Sequence, residues 1–124
     1  MTDQDEKLLL TDICARIPYG VMCDVDYYDE PLVLEGIPNT DTFLFCNGVI
    51  ERYASQVRPH LRPMSRMTEE EREEERKLWN IVTTTRNDLH YLYTDFLLSH
   101  HFDYRGLIEK GLALEAPENM YKDE

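Results

Sequence analysis

The chain has 124 residues, 42% of them hydrophobic, enough to bury one ordinary core and too much for disorder throughout. Its formal net charge of −12 opposes general attraction to a phosphate backbone or an anionic membrane surface. Cys14, Cys23 and Cys46 are odd in number and widely spaced, which argues against a disulfide framework or a structural zinc knot and predicts reduced, buried thiols.

The opening MTDQDEK is acidic where a secretory leader needs a basic start, and no apolar run reaches the roughly 20 residues of a membrane span. The expected location is the cytoplasm. In KLLLTDICARI, Leu9, Leu10, Ile13 and Ile17 recur at helical spacing, and Pro18 ends that helix. GVMCDVDYY alternates as a half-buried strand does, with Val21, Cys23, Val25 and Tyr27 on one side. LVLEG and TFLFC predict further strands, and Asn47-Gly48 predicts a two-residue hairpin into VIERYASQV.

VRPHLRPMSRM is expected to be an irregular connector, because Pro59 and Pro63 each lack a backbone donor. The stretch from Arg52 to Met67 holds Arg58, His60, Arg62 and Arg66 without an acid, a basic island in an acidic chain. Thr68 with Glu71 matches a capping box, so a helix starts at Thr68, anchored by Leu78, Trp79, Ile81 and Val82. TTTRND breaks it. Leu89, Leu92, Tyr93, Phe96 and Leu97 mark a second amphipathic helix. Asp103 should cap a short turn, Gly111 should end it, LALEA suggests an added edge strand, and Pro117 onward should fray.

HHFDYRG is the segment with most chemistry. His100, His101 and Asp103 are weak candidate metal ligands, because adjacent histidines point about 100° apart on a helix while helical metal sites use i, i+3 or i+4. The cheaper reading is architectural: His100 packs or bonds the last helix carbonyls, Phe102 plugs the core, Asp103 caps and Arg105 pairs with a carboxylate. No phosphate loop, nucleophile elbow or paired-acid motif is present, so no catalytic residue and no cofactor is assigned. Partner-binding candidates are Arg58, His60, Arg62, Arg66, His101 and Arg105, although the favoured reading of Arg58, Arg62 and Arg66 is that they bind the chain's own EEEREEE helix.

CARIPYGV, LRPMSRMTEEE and HHFDYRGLIEKGLALEAPENMY resemble a family of small uncharacterised proteins of gut anaerobic bacteria, often associated with phage-like or mobile-element genes. The resemblance implies a β-rich N-terminal half followed by helices, and an accessory role in a mobile element. It transfers no catalytic residue, and the segment VTTTRND is shorter here than the family would suggest.

The expected fold is a single α+β domain over 1–124. It comprises a small antiparallel sheet or SH3-like barrel with a short N-terminal helix (1–62), then two C-terminal helices and a short extension (63–124). The expected function is a non-enzymatic cytoplasmic protein-interaction module, docking an unidentified protein partner through a sheet edge or the basic connector. A nucleic-acid accessory protein using the basic patch, disfavoured by net charge, and a metal-dependent enzyme are the alternatives. Neither a membrane partner nor an oligomeric state is indicated.

Overall fold

The computed structural model describes residues 2–39, 42–45, 50–84, 90–118 and 120–121. Thr2 opens the first helix, α1 (Asp3–Arg16), by accepting from the Asp5 amide at 3.0 Å while the Asp5 carboxylate reaches back to the Thr2 amide. This capping box, with Asp3, Asp5 and Glu6 in the first turn, moves the helix start upstream of the apolar run that signalled it. A short 3-10 turn through Pro18 ends it, and Gly20 takes the left-handed conformation (φ +69°) needed to turn into the sheet.

The strands are β1 (Met22–Val25), β2 (Leu32–Asn39), β3 (Thr42–Phe45), β4 (Ile50–Tyr53), β5 (Val57–Leu61) and β6 (Leu114–Glu115). Among the described residues they form one sheet in the order β4-β3-β2-β1-β5-β6, antiparallel except where β6 joins β5 in parallel. The fold is therefore α+β as expected, with an open sheet instead of a closed barrel. A single 3-10 turn, Ala54–Gln56, links β4 to β5, but β1 and β6 occupy the two sides of β5 that a closing ladder would need.

Two expectations fail here on the described residues. The segment after Val57 is a strand, not an irregular connector: Val57, Pro59 and Leu61 alternate inward, and Pro59 stands opposite Cys23. β6 reaches only His60 and Leu61, so Pro59 has a strand neighbour on one side alone and its missing donor is tolerated. The C-terminal stretch is likewise tied down as far as Tyr121, whose hydroxyl bridges the ends of β1 and β5; residues 119 and 122–124 lie outside the described residues. Inward alternation in β1 stops at Val25, because Tyr27 sits in a turn at φ +76° and is exposed. The Asn47-Gly48 hairpin, Cys46 and Leu89 lie outside the described residues.

The capping box at Thr68 is present, and α2 (Glu69–Thr84) and α3 (His90–Ser99) follow in contact with each other. Val82 is buried and Leu78 half-buried, whereas Trp79 and Ile81 are exposed, so the anchorage of α2 is narrower than its apolar content suggested. Asp103 caps as expected, accepting from the Leu107 and Ile108 amides, and Gly111 takes φ +76°. One buried cluster lies over the sheet, with Leu9, Ile13, Val21, Phe43, Phe45 and Leu107; a second gathers Met67, Phe96, Leu97 and Phe102 under the helices. Cys23 is buried, and burial, with the Asp24 charge nearby, pushes its thiol pKa up, while Cys14 is exposed, contrary to the expectation of a buried thiol.

Candidate functional site

Two concavities carry the polar chemistry. The larger, about 600 Å³, lies where the end of β5, the start of α2 and the end of α3 meet. Its floor is an Arg-Glu-His cluster. Arg62 grips Glu71 with both terminal nitrogens, at 2.8 and 2.7 Å, and donates to the His100 carbonyl at 3.1 Å. The His100 Nδ1 lies 3.1 Å from the Glu71 carboxylate, and the Arg62 guanidinium stands 4.3 Å from the centre of the Phe102 ring. Burial pushes the Glu71 carboxyl pKa up, but the Arg62 hydrogen bonds, the Thr68 amide, the Arg62 charge and the nearby His100 ring outweigh it and hold it at about 2.

The backbone explains why these side chains meet. Arg62 donates its amide to the His101 carbonyl and accepts from the Asp103 amide, both at 2.8 Å, so the HHFD segment lies against the end of β5 as a short parallel bridge. His101 takes the left-handed conformation (φ +63°) that ends α3, an uncommon cost for a non-glycine residue. Its ring is 8% exposed and stacks on Tyr121 at 3.6 Å. Burial raises the pKa of the Tyr121 hydroxyl, which accepts from the Met22 amide and donates to the His60 carbonyl.

His100, His101, Arg62 and Arg66 thus come together around one cleft. Asp103 does not join them, because both its oxygens accept the amides of the following turn. Among the described residues no group of three or more His, Cys, Asp or Glu side chains is placed to hold a metal ion. Arg66 is bound to the Ala116 carbonyl and to Glu115. Arg58 is exposed, opposite Asp24 in the β1–β5 ladder. His60 is half-buried, and burial lowers its imidazole pKa against the opposing pull of Asp24.

Arg105 meets a carboxylate, as expected, in a separate charge cluster whose buried Asp12–Arg16 pair sequence reasoning missed. Asp12 and Arg16, both 0% exposed, pair along α1 at 2.6 and 3.1 Å, and Arg16 also donates to the Phe102 carbonyl. The Arg105 Nε lies 3.2 Å from the Asp12 carboxylate without hydrogen-bond alignment, and the Tyr104 ring faces both guanidiniums. The i, i+4 spacing of Asp12 and Arg16 was visible, but that spacing ordinarily marks a solvated pair.

The second concavity, about 390 Å³, is a groove between α2 and α3 lined by Arg72, Glu75, Arg76, Trp79 and Tyr93. The Trp79 and Tyr93 rings meet edge to face at 5.2 Å, and Trp79 remains 48% exposed. The Tyr93 hydroxyl donates to Glu75 at 2.7 Å; burial and that carboxylate push its pKa to about 12. Arg72, Arg76 and Trp79 fall at i, i+4 and i+7, a signal readable in the sequence but masked by treating Trp79 as a core anchor. Comparison with protein-family models, curated proteins and solved structures returned no match.

Proposed function

We propose that this chain is a non-enzymatic protein-interaction module acting in the cytoplasm, with the α2/α3 groove as its contact surface. The accessory role in a phage or mobile element rests on the sequence resemblance alone. The observation that carries the docking role is the half-exposed Trp79, set edge to face with Tyr93 and flanked by Arg72 and Arg76. Trp, Tyr and Arg are the residues that dominate binding energy where proteins meet, and they do so when clustered in a pocket. No described helix is long and apolar enough to cross a membrane.

The basic connector supports docking less well than its composition suggested. Arg62 and Arg66 are spent on Glu71, Glu115 and backbone carbonyls, which leaves Arg58 as the exposed member of the series. The same accounting weakens the nucleic-acid reading, since phosphate contacts would have to displace those internal partners. His100 and Asp103 are committed in the same way, to Glu71 and to turn amides, so a metal-dependent reaction has little support in these residues.

The test compares tagged wild-type protein with Trp79→Ala as bait in lysate of the native host, read by mass spectrometry. A protein retained by the wild type and lost from a folded Trp79→Ala variant is the expected result. Identical retention by both baits would remove the groove from consideration.

A further inference from the structure

We infer that the α2/α3 groove takes a segment of a protein partner in which one aromatic or large apolar side chain stands beside a single carboxylate. This inference rests on the docking role proposed above and adds the chemistry of what docks.

The apolar requirement comes from the two rings. Trp79 is half exposed, and Tyr93 has already spent its hydroxyl on Glu75, so the pair offers hydrocarbon and π surface to whatever enters. An entering aromatic can complete the edge-to-face arrangement that Trp79 and Tyr93 begin. At about 390 Å³ the groove holds a side chain and its neighbour, near the lower end of the range for ligand pockets.

The carboxylate requirement comes from the rim. The described contact of Arg72 is a marginal 3.5 Å approach to the Ser65 carbonyl. Arg76 pairs with Glu73, but both side chains are more than half exposed, so a buried carboxylate can replace that partner at little cost. Glu75, the acid that lines the groove, is held by Tyr93. Guanidinium groups at i and i+4 are therefore available to a planar, bidentate acceptor.

The restriction to one carboxylate comes from the surroundings. Glu69, Glu70, Glu73 and Glu74 lie on the same helix, and the chain carries a net charge of −12. A nucleic-acid strand or a second copy of this chain would bring a run of negative charge against them. One carboxylate placed between Arg72 and Arg76 avoids that repulsion.

Trp79 is the single tryptophan of the chain, so its fluorescence reports the groove directly. The probes are Ac-Gly-Phe-Asp-Gly-NH2 and its Phe-Asn, Phe-Lys and Ala-Asp counterparts, titrated at low salt. The Phe-Asp peptide should shift Trp79 emission to the blue and protect it from acrylamide. Its affinity should exceed that of the Phe-Asn peptide by roughly tenfold, the scale of a charge-assisted pair. Ala-Asp and Phe-Lys should leave the signal unmoved. The double variant Arg72→Ala/Arg76→Ala should keep the wild-type Tm and bind Phe-Asp no better than Phe-Asn. Equal response to Asp, Asn and Lys peptides, or none to any, overturns the inference. If the Trp79→Ala bait still loses its partner in that case, the docking role stands and only the partner chemistry is wrong; if it loses nothing, both fall.

Discussion

Tyr27 occupies the third position of a turn closed by the Tyr28 amide on the Val25 carbonyl, with φ at +76°. That position favours glycine, because a side chain in the left-handed region costs roughly 1–2 kcal/mol. Tyr27 recovers little of this by packing, since it is 87% exposed. Tyr27→Gly should therefore raise stability by about 0.5–1 kcal/mol, the strain relieved less the added entropy of an unfolded glycine. Urea denaturation measures it, and a lower midpoint for the glycine variant would show that the phenol ring holds the loop. The sequence concealed this residue because alternation through Val21, Cys23 and Val25 extrapolates naturally onto Tyr27, while the turn that interrupts it is closed by backbone atoms.

At the scale of elements, Glu71 is the joint between α2, the end of β5 and the end of α3. One carboxylate completes the helix cap at Thr68, receives both arms of Arg62 and lies beside His100. Its pKa falls from an ordinary 4.5 to about 2 on folding, so the folded state favours the ionised form. The stabilisation is complete above the unfolded value and is lost as pH drops from about 5 toward 2, amounting to at most about 3 kcal/mol. Glu71→Gln keeps the shape and removes the charge. The stability gap between wild type and Glu71→Gln should be widest at neutral pH and close on acidification through that window. A gap independent of pH between 5 and 2 would mean that Arg62 is held by shape and not by charge. The cap itself was legible, because Thr68 and Glu71 are three residues apart and a helix end is a local problem. The partnership with Arg62 was only half legible: charge pattern offered the acidic helix as a partner for the arginines, and the fold then sends Arg62 to Glu71 but Arg66 to Glu115. That Arg105 would meet a carboxylate was legible, but that the carboxylate is Asp12, like the contact of Arg16 with the Phe102 carbonyl, was beyond reach, because nothing local distinguishes a charged residue that a later chain segment will cover.

Across the whole molecule, the feature furthest from sequence reasoning is the way its C-terminal stretch locks the sheet. Pro117 and the polar residues after it carry the composition of a frayed end, yet the Tyr121 hydroxyl accepts from Met22 at 2.7 Å and donates to His60 at 2.8 Å, and its ring covers His101. These contacts join β1, the neighbouring β5 and the end of α3 through one residue that lies 99 positions from Met22. Tyr121→Phe keeps the ring stack but strands the Met22 amide, a loss of about 1–3 kcal/mol for a buried unsatisfied donor. Removing residues 117–124 also uncovers His101 and should cost more. Both variants should lower the urea midpoint in that order, with the slope unchanged for Tyr121→Phe because its folded surface is the same. A truncated chain with the wild-type midpoint would mean that the stretch merely rests on the sheet; a loss confined to the truncation would assign the work to the ring and not the hydroxyl. The expected order follows from geometry: the hydroxyl serves two strands that already pair through β1 and β5, whereas the ring is the cover over a histidine held in a strained conformation at the cleft.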